Sequence, residues 1–227
     1  MIELLEFSTR EAASVAAASR MSECIQTRLD TAERAEIVVS GGSTPQRCFA
    51  ALADTDLDWP RVRVALSDER WVPADHDASN EGMVRNNLLQ GRAASTSLLH
   101  IYQSDMTVDE RCDSLQSELE GVEFACALVG MGADGHFASL FPDADALAVG
   151  LHRDTQHFYI PIKTGASPHP RVSMTLAALL RSDELVLLFF GDDKKVTFEQ
   201  AVEDRDAYPI GHLIHQSATP VRGYWAP

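Results

Sequence analysis

The sequence predicts an α/β fold, a doubly wound, largely parallel sheet with helices on both faces. Two observations carry this. Short apolar runs at Glu36–Ser40, Val62–Leu66, Ala125–Val129 and Glu184–Phe190 have the length and β-branched or aromatic content of buried strands. Each gives way to a polar or glycine-containing loop and then a helical stretch, and strands that alternate with helices pair in parallel.

The elements follow in order. Ser8-Thr9-Arg10-Glu11 has the spacing of a capping box and opens an alanine-rich helix through about Leu29. The strand at Glu36–Ser40 breaks at Gly41-Gly42-Ser43-Thr44, and Pro45 suits the first turn of the next helix. Val62–Leu66 is a strand whose end carries Ser67-Asp68-Glu69-Arg70, and a helix is expected from Asn80 to Leu89. A second box, Thr107-Val108-Asp109-Glu110, starts a helix to about Glu120, ahead of the strand that ends at Val129. His157–Ile162 and Glu184–Phe190 read as two more strands, the latter followed by Gly191 and a helix. The Lys163 to Pro170 stretch, with its Pro, Ser and Gly, is expected to be a loop that can serve as a flexible lid.

At 227 residues, 45% hydrophobic and 23% charged, the chain is expected to form one unit over residues 1–227 with a well-filled core. A formal net charge of −15 argues against nucleic acid as a partner, since a coating protein must neutralise phosphates over a broad face. It does not exclude a small anion, which a local cluster of cations and backbone amides can hold. Cys24, Cys48, Cys112 and Cys126 form no CxxC pair and sit in apolar or helical contexts, which fits a reducing compartment. No signal segment or membrane span is read, so a cytoplasmic monomer is expected. His212-x-x-His215 lacks an accompanying acid or cysteine, and no metal site is expected.

Candidate chemistry gathers in the loops. Gly130-Met131-Gly132-Ala133-Asp134-Gly135-His136 follows a buried strand, placing an acid and a histidine where open α/β sheets bind their ligands. Gly41, Gly42, Ser43 and Thr44 supply unobstructed amides, hydroxyls and a helix N-terminus, the makings of a phosphate cradle. It has no lysine of its own; Arg171 and Lys194 are candidates to supply the missing charge. Strand alternation puts Asp68 and Arg70 on one side and Glu69 on the other. Each feature also has a structural reading: a hydrogen-bonded strand-end histidine, a turn with a capped helix, an internal Asp68–Arg70 salt bridge, a solvated lysine.

These motifs, with Ser79-Asn80, Ala138-Ser139-Leu140-Phe141-Pro142 and Arg171-Val172-Ser173-Met174-Thr175, occur in an order that resembles the glucosamine-6-phosphate isomerase/6-phosphogluconolactonase family, in its lactonase form. The deaminase branch typically carries Asn-Gly-His and Phe-Asn-Glu-Pro, where this chain has Asp134-Gly135-His136 and Ser139-Leu140-Phe141-Pro142. Phe137 and Ser173 stand where the family commonly has Thr. The resemblance implies a modified Rossmann-like fold and cofactor-free hydrolysis of 6-phospho-D-glucono-1,5-lactone in the oxidative pentose phosphate pathway. Under it, His136 is the general base, Asp68 or Asp134 orients it, and Arg70 holds substrate oxygens. Gly41, Gly42, Ser43, Thr44, Arg171 and Lys194 bind the 6-phosphate. The rivals are a deaminase-like aldose/ketose isomerase, which would need the missing Asn-Glu pair, and a non-catalytic sugar-phosphate sensor.

Overall fold

The computed structural model describes residues 2–227. Its strands are β1 (Glu3–Glu6), β2 (Ala35–Val39), β3 (Val62–Leu66), β4 (Asp68–Arg70), β5 (Ser97–Leu98), β6 (Cys126–Val129), β7 (Tyr159–Ile162), β8 (Arg171–Met174), β9 (Leu185–Phe190) and β10 (Val221–Ala226). Its helices are α1 (Arg10–Leu29), α2 (Gln46–Ala53), α3 (Asn80–Asn87), α4 (Val108–Glu118), α5 (Leu147–Leu151), α6 (Leu176–Leu179), α7 (Asp192–Glu203) and α8 (Pro209–Ile214).

Seven strands form an all-parallel sheet in the order β1-β10-β9-β6-β2-β3-β5. Successive strand residues point to opposite faces, yet Ile37, Val38 and Val39 of β2 and Leu185, Val186 and Leu187 of β9 are all fully buried. Both faces of the sheet are therefore covered, which is why these strands read as unbroken apolar runs. Helix α1 presents Ala13, Ala17, Met21 and Cys24 to the core at helical spacing, small residues first, so it lies close against β9 and β10.

Chain direction across the sheet reverses next to β2. After β2 the chain moves outward through β3 and β5, then returns to place β6 on the other side of β2. That reversal opens a crevice beyond the carboxyl ends of β2 and β6, the topological switch point where such sheets bind ligands.

The small sheet was not foreseen. β4, β8 and β7 pair antiparallel in that order. His157–Ile162 was expected to alternate with helices as part of the parallel sheet; instead Tyr159–Ile162 pairs only with β8, Pro161 being tolerated on an edge strand. Ser67-Asp68-Glu69-Arg70, expected as a strand-end loop, continues as β4. The cap of α1 is Thr9, one residue later than the box spacing suggested, its hydroxyl accepting from Ala12 N at 3.2 Å. Pro45 sits at the N-cap of α2, just outside the first turn, and α3 and α4 end at Asn87 and Glu118. The Thr107–Glu110 box forms with both of its bonds. No described helix is long and apolar enough to cross a membrane.

Candidate active site

A pocket of about 240 Å³ opens at the switch point. Separate stretches of the chain meet there: Ser40 to Thr44 after β2, Asp68 and Arg70 on β4 with Asn80, Gly130 to Gly132 and His136 after β6, and Lys194 in α7; Arg171 of β8 completes the wall. All of the sequence-derived candidates line it except Asp134, which stands behind His136.

The loop after β6 is pinned from outside. Thr197 Oγ1 of α7 donates to Ala133 O at 3.0 Å, and Ile210 N of α8 donates to Gly135 O at 2.9 Å. Within it, His136 Nδ1 lies 2.6 Å from Asp134 Oδ1. A carboxylate at that distance accepts the Nδ1 proton, which leaves Nε2 as the nitrogen with a free lone pair. The imidazole passes so close to the backbone of residue 132 that a Cβ there would come within 2.2 Å of Nδ1; only glycine fits. Of the two acids the sequence left open as partners of His136, Asp134 is the one that touches it.

Asp68 is committed elsewhere. Its Oδ2 accepts from Arg171 Nη2 at 2.9 Å and from Ser139 Oγ at 2.6 Å, and its Oδ1 accepts from Ser67 Oγ at 3.0 Å. Ser139 Oγ in turn accepts from Arg171 Nε at 2.6 Å. Burial alone would raise the Asp68 carboxyl, but the Arg171 charge and the Ser139 hydroxyl outweigh it and hold it below its ordinary value. The internal salt bridge foreseen as an alternative thus exists, with Arg171 in place of Arg70.

Arg70 and Arg171 are register partners across β4 and β8. Arg70 Nη1 donates to Ala78 O at 2.6 Å, while its buried Nε has no partner among the described residues. Burial and the neighbouring Arg171 both pull the Arg70 guanidinium below its ordinary value, the mark of two cations held close together. Lys194 Nζ donates to Met131 O at 2.7 Å, and burial lowers it too. The chain is acidic overall, but this pocket carries a surplus of positive charge beside the Gly41 to Thr44 loop.

Glu69 faces away, as alternation requires. Its carboxylate accepts from the backbone N–H of Asn80 at 2.7 Å, Glu81 at 2.7 Å and Arg70 at 2.8 Å, and from Ser79 Oγ at 3.1 Å, fixing the start of α3 to β4. Asn80 is thereby brought to the pocket wall, where its Nδ2 donates to Asp68 O at 2.8 Å and its side chain occupies the space a Cβ on Gly41 would need. Sequence reasoning missed the roles of Glu69 and Ser139. The signal for Ser139 was faint: a lone hydroxyl in the otherwise apolar stretch Ala138-Ser139-Leu140-Phe141. His212 and His215 diverge, the first 3.4 Å from Asp206 and the second 3.0 Å from Ala201 O.

A parallel α/β sheet with an amide-lined cationic pocket and an Asp–His pair at its switch point is a Rossmann-like framework built to take a small anion. The chain belongs to the glucosamine-6-phosphate isomerase/6-phosphogluconolactonase family, whose model matches residues 8–222. It is 36% identical over 228 residues to a 6-phosphogluconolactonase of Caulobacter vibrioides, covering 99% of this chain and 97% of that one. It is 34% identical over 223 residues to one from Mesorhizobium japonicum, covering 97% and 94%. The crystal structure of a 6-phosphogluconolactonase from Shewanella baltica superposes with a TM-score of 0.94 at 34% identity, over 100% of this chain and 98% of that one.

Proposed function

We propose that the chain hydrolyses 6-phospho-D-glucono-1,5-lactone to 6-phospho-D-gluconate, in the oxidative pentose phosphate pathway, with His136 as general base. The observation that carries this reading is that His136, bonded to Asp134, and the amide-and-cation cradle open into one pocket. The names of the full-length relatives support the substrate, and Leu140 and Phe141 in place of the deaminase Asn and Glu support hydrolysis over isomerisation.

Gly41 to Thr44, Lys194 and Arg171 take the 6-phosphate, whose binding energy sets the lactone carbonyl against His136. Nε2 of His136 removes a proton from water as its oxygen attacks C1. Arg70, which lines the pocket, holds the oxygen that gains negative charge in the tetrahedral intermediate. Collapse of that intermediate breaks the bond from C1 to the ring oxygen, and the imidazolium returns its proton to that oxygen. Asp134 holds the imidazole in the required tautomer and stabilises its charged form. Asp68 and Ser139 keep Arg171 extended into the pocket.

The test follows the disappearance of freshly generated lactone with wild type and His136→Ala against the spontaneous rate. Acceleration by wild type alone supports the scheme. If neither protein beats the blank while 6-phosphogluconate still binds, the site is a sensor and the proposal fails.

A further inference from the structure

His136 and Arg171 share a neighbour to which the scheme above gives no part. The ring of Phe141 lies 4.1 Å from the His136 imidazole, centroid to centroid, with the two planes 30° apart. Arg171 Cζ stands 5.3 Å from the centroid of the same ring. Phe141 is buried and does not wall the pocket, so it reaches a substrate only through the groups it touches.

We propose that Phe141 is a positioning residue for the reaction, holding the His136 imidazole in the plane at which Nε2 meets the attacking water. This rests on the lactonase reading. The bond from Nδ1 to Asp134 fixes one point of the imidazole and leaves it free to rock about that contact, and Asp134 is itself 45% exposed on a loop. The terminal torsion of histidine is broad and gives little resistance of its own. An aromatic face laid against the imidazole removes that freedom, and its negative π-cloud attracts the imidazolium formed as water loses its proton. Arg171 depends on the ring far less, because Asp68, Ser139 and Ser167 hold three of its nitrogens. Loss of the ring therefore reaches the base and spares the phosphate side.

The experiment replaces Phe141 by Leu, which keeps apolar bulk but presents no flat face, and checks folding by a cooperative thermal melt. Phe141→Met is measured in the same way should the Leu variant not fold. Wild-type turnover tests the lactonase reading. The variant-to-wild-type ratio, together with the ¹⁵N resonances of the His136 ring assigned through His136→Gln, tests the inference. Expected are a fall in kcat of about tenfold or more with KM within about twofold, as for a small misplacement of a reacting group. The ring resonances should also move from a single Nδ1–H tautomer toward averaging. Unchanged resonances with kcat within about twofold of wild type would overturn it. So would a fall in kcat with the tautomer signature intact, which is what packing alone would give. The resonances report on the imidazole even if wild type leaves the lactone untouched.

Discussion

Asp134 Oδ1 sits 2.6 Å from Nδ1 of His136, and this contact decides which imidazole nitrogen can act as a base. An amide in place of the carboxylate can present its N–H₂ to Nδ1, which would put the ring proton on Nε2. Asp134→Asn is expected to lose on the order of 10²-fold or more in kcat. Its melting temperature should hardly change, since both side chains are partly exposed, at 27% for His136 and 45% for Asp134. Lactone hydrolysis at the wild-type rate would show that the carboxylate does not set the tautomer.

The same geometry makes Gly132 a functional glycine. A methyl group there would press on His136 Nδ1 and on Asp134 Oδ1, at 2.2 and 2.5 Å. Gly132→Ala should fold, because the contacts are with the ends of partly exposed side chains, and lose about 10²-fold in turnover through displacement of the imidazole. Comparing kcat with the affinity for 6-phosphogluconate separates the two effects: the affinity should stay near the wild-type value.

Lys194 offers a test of the phosphate assignment. Lys194→Ala is expected to raise KM for the phosphorylated lactone by about tenfold or more and to leave weak activity on unphosphorylated gluconolactone nearly unchanged. Equal losses on both substrates would contradict the assignment. Burial lowers the Lys194 ammonium below its ordinary 10.5, so its charge is lost at a lower pH than an exposed lysine's. Titration calorimetry with 6-phosphogluconate should accordingly show affinity fading before pH 10.5 is reached, an alkaline loss that Lys194→Ala does not share.

Which parts of this molecule were legible in the sequence follows from how local each signal is. β2, β3, β6 and β9 are covered on both faces, so their apolar runs announce themselves, as do the glycines that follow β2, β6 and β9. β10 has Arg222 and Gly223 inside it, β5 is two residues long, and β1 exists as a strand through its pairing with β10 at the other end of the chain. None of these leaves a local pattern. At the site, Asp134 and His136 are two residues apart and could be paired by eye, whereas Asp68 and Arg171 are brought together by the antiparallel pairing of β4 with β8, and Ser139 joins them from the chain after β6. The sequence therefore suggested Arg70 as the partner of Asp68, because Arg70 was near in number; the place went to Arg171, which lies opposite Arg70 and reaches Asp68 diagonally across the strand pair.

That long-range pair makes a stability prediction with a definite sign. The Asp68 side chain is 6% exposed and lies 2.9 Å from Arg171, whose own side chain is 8% exposed. Removing one partner of a buried pair leaves the other charge uncompensated, so Asp68→Asn is expected to destabilise the fold by about 3 kcal/mol at neutral pH. The carboxyl is held below its ordinary 3.8, against burial, by Arg171 and Ser139. A depressed carboxyl adds stability that is fully present above the unfolded-state value and disappears as pH falls through the folded-state one. Urea melts of wild type and Asp68→Asn should therefore differ most around neutrality and converge as the pH drops below 3.8, where the wild-type carboxyl takes up its proton and comes to resemble the amide. A gap that stayed constant across this range would mean that folding does not shift the Asp68 carboxyl, and the account of how Arg171 is held would fall with it.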